Sequence, residues 1–123
     1  MNGNSILVDT NIVLYLLGGD KTIIPLLQDK QLFVSFITQL ELLSFKNLTK
    51  NQIIKIEKFL SECTIVDINS KIKEHTINIR RKNLIKLPDC IIIATSLYLN
   101  VPLISADSQF NKIKEFNLIL YQK

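Results

Sequence analysis

The sequence is poor in cysteine, histidine and aromatic residues. Its 123 residues include two cysteines, one histidine and no tryptophan, and aromatic side chains make up 7%. Cys63 and Cys90 stand far apart in apolar surroundings, which is typical of reduced, buried thiols rather than of a disulfide. No histidine–cysteine pair has metal-ligand spacing, which argues against a zinc site. Because apolar residues reach 47% with so few aromatics, the core must be mostly aliphatic.

Long apolar runs, repeats, low-complexity tracts and linkers are also missing. The early apolar run at residues 12–17 is far too short to span a bilayer, and residues 1–5 lack the basic region of a signal peptide. We therefore expect a cytoplasmic protein with no membrane partner, folded as one domain over residues 1–123. The net charge of +4 suits a polyanionic partner such as nucleic acid, although many soluble proteins share it.

Short apolar runs alternate with helical patterns along the whole chain. Strands are expected at residues 6–8, 32–35, 64–66, 101–105 and 118–121. Helices are expected at residues 12–17, 21–28, 38–45, 50–61, 70–82 and 88–99. This alternation predicts an α/β fold with right-handed crossovers and a mostly parallel sheet of about five strands, covered by helices on both faces.

Four acidic residues fall at comparable places in this pattern. Asp9 ends the first predicted strand, and Asp107 lies just beyond the fourth. Glu41 lies about one turn into the helix after the second strand, and Asp89 begins the helix that leads into the fourth. In a parallel sheet these positions share the edge at which open α/β sheets bind ligands. We therefore expect the four carboxylates to meet there.

Each acid also has an ordinary structural explanation. Asp9 can cap a helix, and Glu41 can be an exposed helix residue. Asp89 suits the first turn of a helix, and Asp107 can initiate a turn. Their joint placement at one edge favours a functional site. Two carboxylates ~4 Å apart repel by about 4 kcal/mol at an effective dielectric of 20, so acids gathered in this way are unstable on their own. Several such groups need a cation, and Mg²⁺ fits best because it prefers oxygen ligands and keeps several waters.

Two other classes of α/β protein gather aspartates at this edge. A phosphoacceptor signalling domain needs a lone aspartate on the central strand and a lysine after the last strands, whereas only Gln122 and Lys123 follow the last strand here. A phosphatase with a nucleophilic aspartate usually has a second aspartate two residues further on, where this chain has Asn11. Both classes match the sequence less well than a site for a divalent metal ion at this edge.

Four segments around the acids resemble the ordered motifs of one family. They read VDTNIVLYLLG at 8–18, SFITQLELL at 35–43, LPD at 87–89 with IATSL at 93–97, and LISAD at 103–107 with Phe110. Together they resemble PIN domains, especially the VapC-type toxins of toxin–antitoxin pairs. The resemblance implies a three-layer α/β/α PIN-like domain, Mg²⁺-dependent endonuclease activity on RNA, inhibition by a cognate antitoxin protein and a tendency to form homodimers. The alternative is a catalytically inactive PIN-like module that only binds RNA or protein.

The four acids can be given separate roles in such a nuclease. We expect Asp9 and Asp89 to bind Mg²⁺, for which Mn²⁺ can substitute, with Asp107 assisting directly or through water. Glu41 is expected to accept a proton from, or orient, the water that attacks the phosphodiester. Whether one or two ions act stays open.

Further residues are candidates for supporting roles or for binding partners. Asn11, in the first motif, is a candidate supporting residue. Thr10 and Ser105 can donate to a carboxylate or phosphate, or they can simply bond the local backbone. Basic residues before Asp89 can contact RNA phosphates or form a solvated helix end; they are Arg80, Arg81, Lys82 and Lys86. Apolar residues near 26–27 and 53–60 can receive an antitoxin helix or a second subunit.

Overall fold

The computed structural model describes residues 3–122, so Met1, Asn2 and Lys123, which entered the arguments about both termini, lie outside the described residues. The strands are β1 (Ser5–Val8), β2 (Gln31–Ser35), β3 (Thr64–Val66), β4 (Leu103–Ser105) and β5 (Leu118–Leu120). The helices are α1 (Thr10–Leu17), α2 (Ile24–Leu27), α3 (Phe36–Leu43), α4 (Lys50–Ser61), α5 (Ser70–Lys82) and α6 (Leu87–Leu99), with a 3₁₀ helix at Ser108–Lys112. The predicted α/β alternation is confirmed.

The five strands form one sheet in the order β3-β2-β1-β4-β5. Every neighbouring pair is parallel, and the central strand β1 places Leu7 opposite Phe33 of β2 and Leu103 of β4. All strands therefore end at the same edge of the sheet. The ends of β2 and β4 flank the end of β1, where Asp9 follows directly.

Two apolar cores lie on the two faces of this sheet. Because side chains alternate along a strand, Ile6 and Val8 enter one core while Leu7 enters the other. The first core holds side chains of α1 and α4, and the second holds side chains of α5 and α6. This is the three-layer α/β/α arrangement that was predicted. Both cysteines are free, with Cys90 buried, and within residues 3–122 no helix is long and apolar enough to cross a membrane.

Several element ends differ from the sequence-based expectation, and local hydrogen bonds explain why. Helix α3 begins before residue 38 because the Ser35 hydroxyl caps it, accepting from the Ile37 amide at 3.1 Å. Helix α2 is shorter than residues 21–28 because Asp20 ties the Thr22 amide into a turn at 2.9 Å. Strand β4 begins after Pro102, which has no amide hydrogen to contribute to a ladder.

Candidate active site

Asp9 is a buried carboxylate at the end of the central strand. Its side chain is 6% exposed and caps α1, with Oδ1 accepting from the Thr10 amide at 2.8 Å. Its Oδ2 accepts from the Ser105 hydroxyl at 2.6 Å. Burial raises the pKa of Asp9 to about 6; the bonds from Ser105 and Thr10 oppose this rise, and the charges of Asp89 and Glu41 add to it. Asp9 therefore combines the predicted cap with a carboxylate that is costly to ionise.

Asp89 lies in the first turn of α6, next to Pro88. Burial raises the pKa of this half-buried carboxyl, and the charges of Asp107 and Glu41 raise it further, whereas Lys86 lowers it. The charges that raise the pKa of Asp9 and of Asp89 come from the other predicted acids. The structure therefore places all four near one another at one edge of the sheet.

Glu41 is an exposed residue of α3 whose carboxylate is held by the neighbouring helix. Its Oε1 accepts from the Thr10 hydroxyl of α1 at 2.6 Å. The Thr10 hydroxyl also lies 3.0 Å from the hydroxyl of Thr38, a fully buried residue of α3. Thr38 was missed in the sequence, although its spacing of three from Glu41 places both residues on the same helix face.

Ser105 and Asp107 connect the end of β4 to the site. The Ser105 hydroxyl donates to Asp9 and accepts from the Asp107 amide at 3.0 Å, while Asp107 Oδ1 accepts from the Gln109 amide at 2.9 Å and caps the 3₁₀ helix. Asn11 Oδ1 accepts from the Ala106 amide at 3.3 Å. Asp107 therefore forms the turn considered from the sequence and also lies near enough to Asp89 to raise its pKa.

The four acids offer carboxylate oxygens, the type of ligand that hard divalent cations prefer. In the part of the chain that the structure describes, the one direct ion pair joins Lys71 and Glu74 at 3.7 Å, so none of the four acids has such a partner. Within the same range, no three acidic, histidine or cysteine side chains converge closely enough to enclose an ion. Mg²⁺ does not require such convergence, because one or two carboxylates and several waters complete its coordination.

Comparisons with known proteins agree with this architecture. The family model described as the PIN domain matches residues 6–116. The chain belongs to the PIN-domain family. No curated protein sequence matches it.

This PIN domain is also similar to several solved structures. A toxin–antitoxin complex from Klebsiella pneumoniae is 29% identical with a TM-score of 0.80, covering 93% of this chain and 95% of the other. VapBC-1 from nontypeable Haemophilus influenzae is 25% identical with a TM-score of 0.79, covering 94% and 97%. VapBC2 from Rickettsia felis bound to a promoter DNA fragment, 20% identical with a TM-score of 0.84 and covering 96% and 99%, shares the fold.

The four predicted basic residues of this PIN domain have different surroundings. Arg80 Nη1 donates to the Ile85 carbonyl and so fastens the segment between α5 and α6. Lys86 lies near enough to Asp89 to lower its pKa. Lys82 lines a separate cleft of about 240 Å³ with His75 and Glu115. Arg80, Arg81 and Lys82 also form the last turn of α5, where positive charge complements the helix dipole.

Proposed function

We propose that this PIN domain is a divalent-metal-dependent endoribonuclease that hydrolyses RNA phosphodiester bonds and acts as the toxin of a toxin–antitoxin pair. The observation that carries the proposal is the placement of Asp9, Glu41, Asp89 and Asp107 at one sheet edge, where neighbouring acids raise the pKa of Asp9 and of Asp89. Within residues 3–122, none of the four forms a direct ion pair. The similarity to the complexes from Klebsiella pneumoniae and Haemophilus influenzae supports the toxin assignment.

The chain's own residues suit in-line attack of water on a phosphodiester. Asp9 and Asp89 would hold Mg²⁺, with Asp107 assisting directly or through water, and Mn²⁺ would substitute. When bound, the ion supplies positive charge for the phosphate oxygens and makes water more acidic. Glu41, fixed through Oε1 by Thr10, keeps Oε2 to orient the attacking water or accept its proton. Ser105 holds Oδ2 of Asp9 in place.

The decisive experiment is cleavage of a panel of transfer and messenger RNAs by the purified chain. We expect cleavage with Mg²⁺ or Mn²⁺, none in EDTA, and none by Asp9→Asn protein that retains the wild-type fold. Full activity in EDTA would contradict the metal-dependent mechanism. Divalent-metal binding without cleavage of any RNA would instead favour the inactive PIN-like module.

An apolar groove supports a protein partner for the proposed toxin. It has a volume of about 250 Å³ and runs between α1 and α4, lined by Leu14, Leu17, Phe45, Leu48 and Ile56. Leu14 and Phe45 are 41% and 43% exposed, so both offer apolar surface to a helix of an antitoxin.

We expect expression of this protein alone to arrest growth and a co-expressed antitoxin to restore it. Normal growth with active enzyme and intact RNA present would contradict the toxin role. Homodimer formation stays a prediction for analytical ultracentrifugation.

A further inference from the structure

Three helical threonines are buried, and one of them bonds differently from the others. Thr76 and Thr95 each donate to the carbonyl four residues earlier in the same helix, Ile72 and Ile91, both at 2.7 Å. Thr38 lies in the first turn of α3, where the residue four positions earlier belongs to β2. Within residues 3–122, its hydroxyl makes no bond to that residue's carbonyl and lies 3.0 Å from the Thr10 hydroxyl instead.

The hydrogen atoms in this contact can be assigned by counting donors. A threonine hydroxyl has one hydrogen, and an ionised carboxylate only accepts. Thr10 lies 2.6 Å from Glu41 Oε1, so the Thr10 hydrogen is directed to the carboxylate. Because one hydrogen cannot serve both neighbours, we assign the hydrogen of the 3.0 Å Thr10–Thr38 contact to the Thr38 hydroxyl. The result is a chain of two hydrogen bonds, in which the buried Thr38 donates to Thr10 and Thr10 donates to Glu41.

We propose that Thr38 is a positioning residue for Glu41 and acts through Thr10. The inference deepens the proposed ribonuclease function and rests on it. Glu41 is exposed, and a glutamate side chain loses much rotamer freedom when it is fixed. Thr38 is 0% exposed, so its hydroxyl is an immobile anchor that keeps Thr10 from turning its hydrogen away. Oε2 of Glu41 thereby keeps one orientation toward the attacking water.

The first test compares Thr38→Val with Thr95→Val. Both substitutions remove one hydroxyl from a fully buried helical threonine, but the Thr95 hydroxyl bonds only its own helix. In metal-free protein labelled with ¹³C, Thr38→Val should shift the Glu41 carboxyl and Thr10 methyl resonances, whereas Thr95→Val should leave both in place. With Mg²⁺ and RNA, Thr38→Val should lower kcat roughly tenfold at nearly unchanged KM, and Thr95→Val should match the wild type.

Two further variants separate positioning from packing. Thr38→Ser keeps the hydroxyl and should restore most of kcat. Thr10→Val removes the middle of the chain, so combining it with Thr38→Val should lower kcat no further than Thr10→Val alone. Glu41 resonances that do not shift in Thr38→Val would overturn the proposal. It would also be overturned if the losses of kcat in the two single variants multiplied in the double variant. Wild-type protein that cleaves no RNA would overturn the ribonuclease function, while the NMR comparison would still decide the role of Thr38.

Discussion

At the scale of single residues, Asp9 is in an environment that favours its neutral form. Its pKa rises from 3.8 to about 6 in the folded protein, mainly because it is buried. The folded state therefore binds more protons than the unfolded chain between these values. The contribution of Asp9 to stability is complete below about pH 4 and is lost as the pH rises through about 6. Ionised Asp9 destabilises the metal-free fold.

Asp9→Asn should therefore stabilise the metal-free protein at neutral and higher pH. One pKa step corresponds to about 1.4 kcal/mol, so the gain in the free energy of unfolding is at most on the order of 3 kcal/mol at about pH 8. The gain should shrink toward zero at about pH 4, where Asp9 is protonated. Urea unfolding in EDTA at both pH values measures this difference. Parallel stability–pH curves for the two proteins would contradict the assigned cause.

Asp107 combines a local cap with repulsion of Asp89, and substitution can separate the two. Asp107→Asn preserves the acceptor for the Gln109 amide, so the melting temperature should change by no more than about a degree or two. Cleavage should fall at least roughly tenfold, a loss of about 1.4 kcal/mol of transition-state stabilisation. High Mg²⁺ or Mn²⁺ should recover part of it.

Asp67 provides a matched control for this experiment. It follows β3, and its Oδ1 accepts from the Ile68 amide at 2.8 Å, but it does not contribute to the raised pKa of Asp9 or Asp89. Asp67→Asn should therefore leave both stability and cleavage near wild-type values. Equal rates for Asp107→Asn and wild type at limiting Mg²⁺ would reduce the proposed site to Asp9, Glu41 and Asp89.

At the scale of elements, periodicity and capping residues predicted most helices and strands but not all of their ends. The bounds of α4, β3 and α5 agree with the expectation because each has a clear pattern and a capping residue or turn beside it. The 3₁₀ helix at Ser108–Lys112 was not predicted. It depends on Asp107 bonding two residues ahead, a local choice that apolar spacing does not reveal.

The segment between α5 and α6 should respond differently to the loss of each charge. Arg80→Gln should lower the melting temperature, because it removes the bond to the Ile85 carbonyl. Arg81→Gln should lower it less, because it removes only a charge that complements the helix dipole. Lys86→Gln should raise the pKa of Asp89 further and, if Lys86 contacts a phosphate, reduce the slope of log affinity against log salt by about one. Thermal melts measure the changes in melting temperature. RNA titrations at several salt concentrations measure the change in slope. An unchanged salt slope would assign Lys86 to the solvated surface.

The partner surface can be tested on two helices that expose leucines to similar extents. Leu14 of α1 lines the apolar groove and is 41% exposed, whereas Leu26 of α2 is 40% exposed and lies outside the groove lining. Leu14→Glu should abolish co-purification with the co-expressed antitoxin and leave RNA cleavage intact. Leu26→Glu should affect neither. The reverse result would move the docking surface to α2, the other surface considered from the sequence.

At the scale of the whole molecule, the sequence predicted a shared edge for the acids but not the strand order. Parallel alternation is enough to place Asp9, Glu41, Asp89 and Asp107 at one side of the sheet. Only tertiary pairing places β1 between β2 and β4, and it places β3, which Asp67 follows, at an outer edge of the sheet. Thr38 was missed for the same reason, because its partner Thr10 comes from a different helix.

The central position of β1 also affects when the sheet and the site can be completed during synthesis of the chain. Ribosomes deliver the N-terminus first, at about 5–20 residues per second, yet β1 completes its pairing only with β4, and the bond from Ser105 to Asp9 spans 96 residues. An unfinished nascent chain carries Asp9 and Glu41 without Asp89 or Asp107. If the protein is the proposed toxin, the messenger RNA and ribosome that produce it are not exposed to a complete set of acids until Asp107 has been synthesised.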